Sequence, residues 1–76
     1  MLEVLFITPQ RIIFEGKAKR VIMPAEFGVC TILPYHRNFL SRLLSGWITI
    51  DKKEYPIKRG IVKVDRNEVV IIGEVP

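Results

Sequence analysis

The sequence predicts an all-β domain, a small β-sandwich or flattened barrel of about eight to ten short strands. Three observations carry this. Short apolar runs alternate with turn clusters such as Thr8-Pro9-Gln10, Asp51-Lys52-Lys53 and Asp65-Arg66-Asn67-Glu68. Gly16, Gly28, Gly46, Gly60 and Gly73 stand singly at the expected strand edges, where a missing Cβ allows positive φ. The one stretch with helical spacing, Phe39-Leu40 with Leu43-Leu44, is cut by Ser45-Gly46 before a helix could be stable, so strand or loop is expected there.

The elements follow in order. Met1 to Thr8 is the first strand, with Leu2, Val4 and Phe6 on one face and Leu5 and Ile7 on the other, as in a strand buried from two sides. Pro9 breaks it, having no N–H for a ladder. Arg11 to Glu15 resumes, Gly16 marks a bend or bulge, and Lys17 to Met23 runs from an exposed half into the core. Pro24 to Gly28 reads as a loop, and Val29 to Leu33 as a short strand stopped by Pro34. Trp47 to Ile50 and Glu54 to Ile57 form a hairpin about Asp51-Lys52-Lys53. Ile61 to Val64 and Val69 to Ile72 form the last hairpin, and Gly73 to Pro76 is a tail.

The 76 residues make one domain, residues 1–76. A chain of this size buries only about 60% of its unfolded surface. Its 49% hydrophobic content therefore implies a dense core or an apolar surface covered by a partner. The net charge of +4 suits an acidic protein, acidic lipid or nucleic acid, or simply a solvated basic surface. Cys30 is alone and can form no internal disulfide, in keeping with a reducing cytoplasm. Met1-Leu2-Glu3 begins a strand pattern without a basic leader, and no apolar run approaches the ~20 residues of a membrane span. Any membrane link is expected to run through a partner.

Chemistry is sparse. His36 could serve Cys30 or Ser41 as a base, but no third group marks an orienting partner, which favours a structural or interface histidine. One His and one Cys do not make a metal site, and Cys30 reads as a small buried hydrophobe. The glycines form no phosphate loop, and Glu26, Asp51, Glu54, Asp65 and Glu68 read as turn and surface residues. The aromatics Phe14, Tyr35, Trp47 and Tyr55 do not interleave on any one strand with the basic residues, among them Lys17, Lys19, Arg20, Arg37, Arg42, Lys52, Lys53, Lys58 and Arg59, so support for a nucleic-acid-binding module rests on charge alone. No catalytic, cofactor or metal residue is expected.

The densest cluster of signals is Ile32-Leu33-Pro34-Tyr35-His36, then Leu40-Ser41 and Gly46 before a strand. With the opening Leu2-Glu3-Val4, Thr8-Pro9, Phe14-Glu15-Gly16, Val21 and Pro24, and the closing Gly60-Ile61-Val62-Lys63-Val64, Asn67 and Val69, the chain resembles the N-terminal β-sandwich domain of the epsilon subunit of F-type ATP synthases, called delta in mitochondria. The resemblance covers nearly the whole chain. Tyr35 stands where the family has a glycine before its histidine, Cys30-Thr31 where Phe-Gly is usual, and Arg37-Asn38 where Ala-Pro is usual.

The resemblance implies a noncatalytic rotor subunit, joining the gamma shaft to the membrane c-ring and coupling ion flow to ATP synthesis. It would lie on the cytoplasmic face of the bacterial inner membrane, held there by the complex. By position, His36, Phe39, Leu40, Arg42, Leu43 and Leu44 would face the shaft, while Ala25, Glu26, Phe27, Gly28 and Val29 would meet the ring. In an alternating strand half the side chains turn inward, so Phe39, Leu40, Leu43 and Leu44 should divide between core and contact surface. The sequence stops at Pro76, just after the sandwich and without the family's C-terminal helical hairpin, so the inhibitory role of that hairpin cannot be carried over. An uncovered shaft-facing surface would favour a weak homodimer. The remaining alternatives are a basic β module that binds nucleic acid and an adaptor of the same fold without a rotary partner.

Overall fold

A computed structural model describes residues 1–35 and 37–76. His36, expected at the shaft, lies outside the described residues. Among those described, nine strands form and no helix: β1 (Leu2–Ile7), β2 (Ile12–Ala18), β3 (Val21–Ala25), β4 (Gly28–Ile32), β5 (Phe39–Leu43), β6 (Gly46–Ile50), β7 (Lys53–Ile57), β8 (Arg59–Asp65) and β9 (Glu68–Glu74). All but β5 hold Val or Ile, β-branched residues that suit a pleated, half-buried surface.

The strands run in the order β2-β1-β9-β8-β5-β3-β6-β7, with β4 on the other edge of β3. β3 and β5 share only the pair Ala25↔Leu43. The sheet folds over at that point, placing β2-β1-β9-β8-β5 against β4-β3-β6-β7. All neighbours are antiparallel except β1 and β9. Leu2, Val4, Phe6, Val62, Val64, Val69 and Ile71 of the first layer meet Val21, Met23, Ile32, Ile48, Ile50 and Ile57 of the second in one buried core. On the β2/β7 side Tyr55 closes the layers, its ring meeting Phe6 at 6.2 Å and Phe14 at 6.1 Å, both edge-on.

Five expectations are corrected. The strand expected from Lys17 to Met23 breaks at Lys19-Arg20, with Ala18 closing β2 and Val21 opening β3. Gly16 lies inside a continuous β2, and the irregularity falls between Phe6 and Ile7, where Ile13 is the extra residue opposite. The loop from Pro24 to Gly28 shrinks to the two-residue turn Glu26-Phe27, because Pro24 and Ala25 pair with Val29 and Gly28. The tail is shorter, since Gly73 and Glu74 continue β9. Finally, Gly60 and Gly73 have no positive φ. They face each other across β8 and β9, and Ile57 of the second layer presses onto them. A Cβ on Gly60 would stand 2.6 Å from the Ile72 carbonyl oxygen of the paired strand and 3.2 Å from Ile57 of the second layer, so these glycines leave room for both.

A candidate interaction surface

The outer face of the first layer is apolar where a solvated sheet would be polar. Ile61 of β8 pairs with Ile72 of β9, Ile72 with Ile7 of β1, and Ile7 with Ile12 of β2. Paired residues project from the same face, so four isoleucines form a row across four strands. Ile61, Ile72 and Ile12 are each more than half exposed, and Ile7 is half-buried. One pleat repeat away runs a second row, Leu40, Lys63, Val70 and Leu5, in which Leu40 is 70% exposed. Leu44 is also exposed and lies with Ile61 and Ile72 along one groove of about 560 Å³. Such a patch on a small domain marks a contact surface.

The expected shaft residues divide across this face. Leu40 and Arg42 project outward, while Phe39 is half-buried against the core. Leu43 does not belong to the face: it is only 2% exposed and packs in the core, because it alternates with Arg42 on β5. Ile7, Ile12, Ile61 and Ile72 were missed in the sequence because they look like ordinary strand residues. Their only signal is that β1 and β9 carry apolar side chains on both faces.

The expected ring residues cluster at the β3–β4 turn. Glu26, Phe27 and Val29 are exposed, and Gly28 takes φ 129°, a conformation that favours glycine. Ala25 is the exception, being 1% exposed and part of the core on the inward face of β3. The turn leans on β5. The Glu26 N–H donates to the Arg42 carbonyl at 3.0 Å, the Glu26 carboxylate lies 3.9 Å from Arg42, and the Phe27 ring meets Phe39 at 6.3 Å. The turn and β5 therefore share one corner.

Residues flanking position 36 are tied to the β8–β9 turn. The Tyr35 N–H donates to Asn67 Oδ1 at 2.8 Å, and the Arg66 N–H donates to Asn38 Oδ1 at 2.7 Å. Tyr35 has φ 66° and is 90% exposed, so a side chain does occupy a left-handed position. Cys30 is half-buried, less than expected, and burial pushes its thiol pKa up, which disfavours a reactive thiolate. Among the described residues no group of three or more His, Cys, Asp or Glu could hold a metal ion, and no helix is long and apolar enough to cross a membrane.

Residues 1–75 match the family model described as ATP synthase, Delta/Epsilon chain, beta-sandwich domain. The chain belongs to this family. Relatives agree: the ATP synthase epsilon chain of Nitratiruptor sp. is 36% identical over 73 residues, covering 90% of this chain and 57% of that one. The epsilon chain of Campylobacter fetus is 32% identical over 71 residues, covering 87% and 55%. That of Rickettsia typhi is 30% identical over 80 residues, covering 96% and 73%. The chain thus spans about half the length of most of these epsilon chains. A chain in the cryo-EM structure of the Euglena gracilis mitochondrial ATP synthase (OSCP, F1 and c-ring) superposes with TM-score 0.86 at 15% identity, over 95% of this chain and 49% of that one. A chain in the Tetrahymena thermophila mitochondrial ATP synthase central stalk and c-ring superposes with TM-score 0.81 at 20% identity, over 95% and 62%. At these identities the likeness establishes the delta/epsilon sandwich fold.

Proposed function

We propose that this delta/epsilon domain is a noncatalytic rotor element that joins a gamma shaft to a c-ring, peripheral to the membrane on the cytoplasmic side. The row of isoleucines across β8, β9, β1 and β2 carries this reading. Each half-exposed isoleucine covered by a partner contributes on the order of 1–2 kcal/mol, so a few such residues supply an interface anchor. Arg42 and Lys63 on the same face would set orientation more than affinity.

Coupling requires a part that does not deform under torque. A close-packed sandwich closed by Tyr55 and pressed together at Gly60 and Gly73 meets that requirement. The Glu26-Phe27 turn is the proposed ring contact, and its links to β5 would pass load between the two surfaces. The nucleic-acid reading gains no support from the relatives named above, which are ATP synthase epsilon chains.

Co-expression with the gamma subunit of the same organism tests the proposal. A stable one-to-one complex is expected, lost with Ile72→Lys or Leu40→Asp while circular dichroism stays that of a folded β domain. Neither change touches the core, since both side chains are more than half exposed. Failure of the parent chain to form the complex would sink the reading.

A further inference from the structure

A second concave surface lies away from the isoleucine row, between the β2–β3 turn and the β6–β7 turn. Its walls are Phe14, Leu33 and Ile50, its rim is Lys17, Lys19, Arg20, Lys52 and Lys53, and its volume is about 560 Å³. Five of the chain's twelve cations stand here with one of its eight carboxylates, Asp51. The remaining seven of each sign balance, so the net charge of +4 resides at this groove. Among the described residues, Lys19, Arg20, Lys52 and Lys53 form no ion pair within 4 Å, and Lys17 reaches Glu3 only at 3.8 Å.

The two turns are held together. Asp51 Oδ1 accepts the Lys19 N–H at 2.9 Å and the Arg20 N–H at 3.2 Å, and the Asp51 N–H donates to the Arg20 carbonyl at 3.1 Å. The single carboxylate is thereby spent on fixing the cation-bearing turns, against their mutual repulsion. The same bonds occupy the Lys19, Arg20 and Asp51 amides, which are then not free to cradle a compact anion such as phosphate. What remains are point charges on long stems around an apolar floor. That arrangement suits carboxylates spread along a chain, with an apolar side chain between them.

We propose that this groove docks an acidic segment of a partner protein, an apolar residue seated against Phe14 and Leu33 and flanking carboxylates meeting Lys19, Arg20, Lys52 and Lys53. The surface is separate from the proposed shaft and ring contacts and does not depend on that assignment.

The test is an amide-shift titration of the 15N-labelled chain with a short synthetic peptide holding a central leucine flanked by glutamates, at low salt. Shifts are expected at Phe14, Leu33, Ile50 and Asp51, and none with a glutamine-flanked counterpart. Combined Lys19→Gln, Lys52→Gln and Lys53→Gln should weaken binding by about tenfold or more, as should raising salt to about 0.5 M. All three lysines are exposed, so the fold is retained. Leu33→Asn should weaken the leucine peptide and leave a glycine-centred one unchanged. Absence of binding, shifts outside the groove, or displacement of the peptide by equal concentrations of pyrophosphate or oligothymidylate would overturn the proposal.

Discussion

Tyr35 occupies φ 66° with its side chain in solvent, and its backbone N–H donates to Asn67 Oδ1. A non-glycine residue there costs about 1–2 kcal/mol of backbone strain, partly offset because tyrosine leaves the unfolded chain less free than glycine would. Tyr35→Gly should therefore stabilise the domain by roughly 0.5–1 kcal/mol, a rise in Tm of a few degrees by thermal melting. A lower Tm would show that the exposed ring makes a contact worth more than the strain. Gly60 gives the opposite case. Gly60→Ala places a methyl 2.6 Å from a backbone oxygen that cannot move freely, which should cost about 1–3 kcal/mol in a denaturant titration.

At the level of elements, the β3–β4 hairpin is the part of the candidate surface best legible in the sequence. Glu26, Phe27 and Val29 lie in or next to a break bounded by Pro24 and Gly28, and all three are exposed. Their attachment to β5 was not legible, because it joins residues far apart in the chain. Glu26→Lys replaces a weak exposed pair with a like charge near Arg42. It should change stability by less than about 1 kcal/mol, since surface pairs contribute little. Under the ring assignment, the same variant should weaken reconstitution of the subunit onto ring-containing membranes; undiminished assembly at moderate salt would count against the turn as a ring contact.

For the whole molecule, the apolar outer face and the basic groove present two chemistries on one stiff body. An uncovered row of isoleucines should also drive weak self-association. Analytical ultracentrifugation at high concentration should detect a dimer that Ile72→Lys removes; a dimer unaffected by that change would place the apolar contact elsewhere. Covering the face by a partner would relieve this tendency and add stability to a domain so small that about 40% of its unfolded surface stays exposed on folding.

The sequence alone determined the all-β class and most strand positions, because strand breaks, turn residues and period-two alternation are local properties of the chain; the family showed in the order of its motifs, from Thr8-Pro9 to Gly60-Ile61-Val62-Lys63-Val64. It could not decide which of two apolar faces each strand would bury. Leu43 and Ala25 went inward and Leu40 and Ile72 outward, a choice set by which strands became neighbours. Only the tertiary structure aligned Ile61, Ile72, Ile7 and Ile12 in one row and brought Lys19 and Arg20 to Asp51. Both surfaces are made by strand register and by turns meeting at one end of the sandwich, and register is a property of paired strands that no single segment carries.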